Sequence, residues 1–272
     1  MTPSSPYDPP APRRRRFSAL LGIFARRRGA VLLGLALLLL ATATGIVVSS
    51  DDEPSRPSSV ADRLPDGGGV GAHAEPRPEP PVVVPSYGPG RFVAADGGTP
   101  VVGDGGPLHR YRVVVEEGSG QDVDAFAASV DETLADPRSW IASGELRVQR
   151  VAEAADADFT VYLATPVTSE RMCAEGGLST EGYTSCRLPG QVIINLARWM
   201  EAVPDYGAPL SVYRTYVINH EIGHEFGEGH ESCPAPGSPA PVMQQQTYGL
   251  EGCLANAWPY LDGRRYAGEI IP

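Results

Sequence analysis

The amino-acid sequence predicts an α+β or α/β sandwich. Short apolar or alternating runs recur between residues 91 and 196, two stretches carry helical spacing, and the elements follow in the order strand, helix, strands, helix. The last 45 residues, by contrast, hold Gly, Pro and Cys throughout and little periodicity, so they are expected to be mostly irregular.

Taken in order, residues 91–95 and 100–102 are expected to form a small hairpin turned by Asp96-Gly97-Gly98. A strand over 111–116 follows, ended by Gly118. Asp122 is placed to cap a helix with Val123, Phe126, Ala127, Val130 and Leu134 on one stripe, and Asp136-Pro137 stops it. Residues 145–151 and 158–164 are two more strands, and 191–196 is another, beyond a loop that holds Cys173 and Cys186. A long helix then runs from Pro209, a residue suited to the first helical position, to about Phe226.

Upstream of this domain (86–272) the chain divides into three parts. Residues 1–28 form a basic tail with seven Arg and one Asp, 29–50 carry no charge, and 51–85 are rich in Pro and Gly. The uncharged stretch, as a helix, rises about 30 Å, the thickness of a bilayer's hydrocarbon core, and is expected to be a transmembrane signal anchor. Arg13 to Arg16 and Arg26 to Arg28 precede it, whereas Asp51, Asp52 and Glu53 follow it. The positive-inside rule then keeps the N-terminus cytoplasmic and places the C-terminal domain outside the cell. Ala41-Thr42-Ala43 also resembles a signal-peptidase site, and cleavage after Ala43 would give a secreted protein instead. The linker, with Gly67-Gly68-Gly69 and a Pro-rich run over 76–81, has no apolar period with which to bury a core. Beyond residue 50 the chain holds 15 Arg against 32 acidic residues, so phosphate backbones are repelled and nucleic acid is excluded as a partner. The domain is expected to be a monomer.

All four cysteines, Cys173, Cys186, Cys233 and Cys253, fall in the exported part, and four allow three pairings. Pairing of neighbours, Cys173 with Cys186 and Cys233 with Cys253, closes the two shortest loops and is expected in an oxidising exterior. No Cys-x-x-Cys spacing supports a thiolate zinc site.

Three of the five histidines fall within residues 220–230. His220 and His224 are four apart, so on a helix their imidazoles project from one face, a turn apart, and can grip one ion. Glu221 lies beside the first ligand, where its carboxylate can reach a water on that ion without binding the metal. A third imidazole on the same helix could not converge at this spacing, so the chain must turn. Gly227 can take the positive φ that stops the helix, and His230 then swings back. Three neutral imidazoles favour Zn²⁺ with the fourth position open for water. His109, Trp140 and Trp199 read as packing or surface residues.

The run His220-Glu221-Ile222-Gly223-His224-Glu225-Phe226-Gly227-Glu228-Gly229-His230, with Pro241-Val242-Met243 following 13 residues after the last histidine, resembles the metzincin zinc peptidases. Their pattern is His-Glu-x-x-His-x-x-Gly-x-x-His followed by a Met-turn. The resemblance spans about 185 residues from Ser86, and its specific part is His220 to Met243. It implies an α+β metzincin-like zincin domain: a mixed twisted sheet whose edge strand pairs with extended substrate, two long helices, an irregular C-terminal subdomain, and Met243 packed beneath the zinc ligands. Residues 243–247 also resemble an uncharacterised family of membrane-anchored actinobacterial proteins with a metzincin-like domain. Glu231 is the residue that astacins place after the third histidine. Astacins also carry, two positions after the Met, a Tyr that helps hold the zinc and the tetrahedral intermediate; here Gln245 stands there, and Tyr248 is the candidate to replace that Tyr as transition-state stabiliser.

The function expected is that of a zinc-dependent extracellular endopeptidase, with a protein or peptide substrate, Glu221 as general base and the membrane engaged through the N-terminal helix. A Cys233–Cys253 bridge would tie the loop containing Met243 to the region just after His230. Two other classes remain: a zinc hydrolase of a cell-wall substrate, and a catalytically inactive zinc-binding scaffold of the cell envelope, which Gln245 favours.

Overall fold

The mixed sheet is built around one long strand. In a computed structural model that describes residues 83–271, the elements in chain order are β1 (Phe92–Ala94), β2 (Leu108–Glu116), α1 (Val123–Ala135), β3 (Arg147–Arg150), β4 (Phe159–Ala164), α2 (Pro166–Glu175), β5 (Cys186–Leu188), β6 (Gln191–Asn195), α3 (Leu196–Glu201), α4 (Leu210–Glu225), β7 (Tyr260–Leu261) and β8 (Arg264–Arg265). The expected basic tail, transmembrane helix and nearly all of the linker lie outside the described residues. Among those described, no helix is long and apolar enough to cross a membrane.

On one side β2 pairs in parallel with β4, and β4 in parallel with β6. Antiparallel β5 then closes that side as an edge strand. The other side of β2 is shared: β3 runs parallel along its first half and β1 antiparallel along its second. The fold is therefore α+β with a mixed sheet, as expected.

The hairpin expected over residues 91–95 and 100–102 does not form. β1 pairs with the far half of β2, with Phe92 opposite Glu116, while Val102 bridges Val148 and the Thr99 amide donates to the Arg150 carbonyl. The glycine turn carries the chain from one strand to another instead of folding it back on itself. Gly98 passes so close to β3 that a Cβ there would lie 2.7 Å from the Arg150 carbonyl oxygen. Pairing with a long, half-open β2 offers more ladder bonds than a three-residue partner would.

Both long helices form. Asp122 caps α1 by accepting from the Ala125 amide at 2.8 Å, and Phe126, Ala127, Val130 and Leu134 are its buried stripe. Pro209 is the extended residue just before α4 and not its first helical residue. These helices cover the sheet face made by Val113, Val115, Val161, Leu163, Val192 and Ile194. The stretch expected as a loop around the first cysteines contains α2 and β5. Pro166 starts α2, and Met172 and Cys173 pack with Ala164, Leu188 and Ile193 on the opposite sheet face. Leu196, expected at the end of a strand, begins α3, because Asn195 turns to accept from the Ala197 amide. Beyond α4 the chain is irregular apart from the two-residue strands β7 and β8. Cys173–Cys186 and Cys233–Cys253 are the two disulfides, the neighbour pairing expected.

Candidate metal centre

From 216 to 223 every residue of α4 is buried, so its polar side chains need partners inside the protein. Asn219 accepts from the Ser139 hydroxyl and donates to the Ala257 carbonyl, each at 2.9 Å. His220 directs Nδ1 at the Val242 carbonyl, 2.9 Å away, and His224 directs Nδ1 at the Glu228 carbonyl, 2.8 Å away. A carbonyl only accepts, so each Nδ1 carries the proton and each Nε2 presents a lone pair.

The helix then ends as its sequence requires. The Glu228 amide donates to the Gly223 carbonyl and the Gly227 amide to the His224 carbonyl, with Gly227 at φ 94°. This is a Schellman arrangement, whose left-handed residue is where glycine is free of Cβ strain. The reversal returns His230 to the helix face. His224 Nε2 and His230 Nε2 lie 3.1 Å apart, and ligand nitrogens of all three histidines lie within 4.8 Å of one another. The structure thus brings together the three predicted ligands.

Electrostatics favour the neutral, metal-accepting form. Burial first, and then the neighbouring His224, push the His220 pKa down to about 3. Burial likewise lowers His224 and His230. Three imidazoles that resist protonation, two of them oriented by carbonyls, fit a borderline-soft divalent cation such as Zn²⁺. Glu221, buried beside them, is pushed up to about 8 by burial alone.

Beneath the cluster, the Gln244 amide donates to the Pro241 carbonyl, closing a turn around Val242-Met243. Val242 supplies the carbonyl that orients His220, and the Met243 carbonyl accepts from the Glu231 amide next to His230. One turn therefore touches His220 and the segment carrying His230. Met243 is fully buried, and a Cβ added at Gly223 would stand 2.5 Å from its Sδ and 2.6 Å from the Trp140 ring. Glycine between His220 and His224 is what lets this floor approach. Below, Gln246 donates to the Pro241 and Asn256 carbonyls and accepts from the Tyr206 hydroxyl. Arg265 pairs with buried Glu231 at 2.7 Å and with Glu228 at 3.2 Å.

Above the histidines opens a cavity of about 570 Å³. His220, Glu221, His224 and His230 line it together with β5 residues Cys186 and Arg187, the preceding loop at Thr180, Thr184 and Ser185, and Gln245, Thr247 and Tyr248. Arg187 reaches across to Glu225 at 2.5 Å, tying the edge strand to α4. Tyr248 stands at the rim, 64% exposed, its ring centroid 6.3 Å from that of Tyr183.

Sequence reasoning missed Gly223, Asn219, Arg187 and the carbonyls of Val242 and Glu228. Gly223 had a signal, because glycine inside a helix costs about 1 kcal/mol relative to alanine and so marks a close approach. Trp140, expected as packing or surface, is buried and donates its indole N–H to the Asn219 carbonyl. The carbonyls had none, since a backbone atom leaves no mark in the side-chain sequence.

Compared with known proteins, residues 79–257 match the family model described as "Protein of unknown function (DUF3152)", and the chain belongs to that family. No curated protein and no solved structure matches it.

Proposed function

We propose that this member of the DUF3152 family is a zinc-dependent extracellular endopeptidase with a metzincin-like zincin domain, held at the membrane by its N-terminal helix. The observation that carries the reading is the convergence of His220, His224 and His230, beside Glu221, at one open cavity above buried Met243.

The three Nε2 atoms would hold Zn²⁺, which supplies a Lewis acid and lowers the pKa of a bound water to about 7. Glu221 takes the proton from water in the cavity and returns it to the leaving amine, as a general base and then a general acid. Its burial keeps it basic, and a dication alongside opposes that upward shift and keeps the carboxylate ionised near neutrality. β5 supports the reading from the other side: it pairs only with β6 among the described strands, so its outer edge can add an extended peptide as a further strand. Arg187 and Glu225 fix that edge to the helix carrying the ligands.

Glu221→Gln is expected to bind one zinc per chain, as the unaltered protein does, and to lower cleavage of casein by about 10²- to 10⁴-fold. Undiminished cleavage by the variant, with zinc bound, overturns the role of Glu221.

A second reading, a zinc-holding scaffold of the cell envelope without turnover, is favoured by Gln245, which lines the cavity where the astacin pattern has a tyrosine. Full zinc occupancy with no hydrolysis of casein or peptidoglycan would support it. Cleavage of peptidoglycan alone would identify a cell-wall hydrolase.

A further inference from the structure

Behind one wall of the histidine cavity lies a guanidinium without a counter-charge. Arg198, on α3, is 9% exposed, and its Nε and Nη1 are buried with no hydrogen-bond partner among the described residues. Arg150 is matched to Asp131, Arg187 to Glu225, and Arg265 to Glu228 and Glu231, while half-buried Arg112 and Arg214 each donate Nε–H to a backbone carbonyl. Arg198 has instead the face of Tyr183, 4.4 Å from its Cζ. A cation–π contact offsets only part of the desolvation of a buried charge, and the unpaired N–H groups add to the cost. Such a group is poised for an anion that arrives from outside.

Three links place this cation against the cavity. Tyr183 belongs to the loop before β5, whose Thr184 and Ser185 line the cavity. The Tyr183 ring in turn neighbours that of Tyr248, another lining residue. The charge of Arg198 also bears on the Tyr213 phenol, opposing the burial that raises it, and the Tyr213 hydroxyl lies 2.9 Å from Thr247 Oγ1, again on the cavity wall. Thr184, Ser185, Gln245 and Thr247 are all uncharged, and the cavity's carboxylates, Glu221 and Glu228, make no bond to the buried Nε and Nη1 of Arg198. Tyr183 and Tyr248 are 38% and 64% exposed, so neither ring is enclosed by the core.

We propose that Arg198 is a specificity-determining residue that receives the carboxylate of an acidic substrate side chain, making peptides with Glu or Asp close to the hydrolysed bond the preferred substrate class. The inference rests on the endopeptidase reading. A guanidinium–carboxylate pair is charge-assisted and bidentate, whereas the neutral Gln isostere offers one acceptor oxygen, places an NH2 against the second N–H and leaves the charge uncompensated.

The test uses the full-length, zinc-loaded Glu221→Gln chain and two capped pentapeptides, acetyl-Ala-Ala-Glu-Ala-Ala-amide and its Gln counterpart, with binding measured by calorimetry. The Glu peptide is expected to bind about tenfold tighter or more. Adding Arg198→Met is expected to erase that preference while the Gln peptide still binds, and Arg198→Lys to restore part of it. Equal binding of the two peptides by the chain that retains Arg198 overturns the inference, whatever the variants do, as does a preference that survives Arg198→Met. If the peptides bind equally and the active chain cleaves both, the inference alone fails. If neither is bound nor cleaved, the endopeptidase reading fails and takes the inference with it.

Discussion

The floor and the wall of the histidine cavity are built differently. The floor, from Glu231 to Ala257, is held by buried side-chain amides: Gln246 and Asn256 bond to backbone carbonyls at 2.7 to 3.1 Å, and Asn219 and Tyr216 reach it from α4. The wall, from Leu178 to Arg187, is tied to the sheet and helices instead. Glu170 holds it through Thr180 and Gly182, buried Asn195 through Gly182 and Ser185, and Arg187 through Glu225, while Leu178 and Tyr183 stay exposed. Each region carries one disulfide, Cys233–Cys253 in the floor and Cys173–Cys186 in the wall. The floor fixes where the nitrogens point, whereas the wall shapes what enters.

That division is broken most severely by removing the disulfides one at a time. The loops they close are similar in length, so either double Cys→Ser variant is expected to lose about 3 kcal/mol in denaturant unfolding. Their zinc affinities should part. The floor variant frees the turn that orients His220, and a loss of about 10- to 100-fold is expected in chelator competition, whereas the wall variant keeps its affinity. Equal losses would erase the distinction.

Gly223→Ala sharpens the comparison at a single contact. The new Cβ meets Met243 and Trp140, and overpacking of this kind costs about 1 to 3 kcal/mol. Unfolding of the metal-free variant measures it, and a shift within error would mean that the floor gives way easily.

A further effect is a pH dependence confined to the metal-free protein. His220 is depressed from 6.5 to about 3, so its contribution is complete above pH 6.5 and is lost as the pH falls toward 3. Glu221 is raised from 4.5 to about 8, so its contribution is complete below pH 4.5 and is lost as the pH rises through 8. With zinc removed, Glu221→Gln is therefore expected to gain melting temperature relative to the unaltered chain between pH 5 and 9. A constant difference across that range would place Glu221 in a more solvated setting than its burial indicates.

What the sequence made legible was local. The i, i+4 histidines, the helix stop at Gly227 and the cap at Asp122 depend on a few adjacent residues, and all three stand in the structure. The disulfide pairing followed from loop length, also a short-range quantity. The choice of partner for β1 was not legible, because residues 91–95 find a distant strand more favourable than their neighbours. Nor was α2, whose ten residues hold too few apolar positions to show a period and whose N-terminus is satisfied by Glu116, fifty residues upstream, through Thr165 and Thr168. At the site itself, the carbonyls of Val242 and Glu228 that set the imidazoles come from the backbone, and the isolation of Arg198 exists only once the chain is folded.

The central claim is that His220, His224 and His230 hold one zinc ion together. X-ray absorption at the zinc edge, on protein carrying one equivalent of the metal, tests it most directly. The expected spectrum has three imidazole nitrogens and one further light atom at about 2.0 to 2.1 Å, and loses an imidazole in each single His→Ala variant. A sulfur shell, a six-oxygen shell, or a spectrum unchanged by all three substitutions would contradict it.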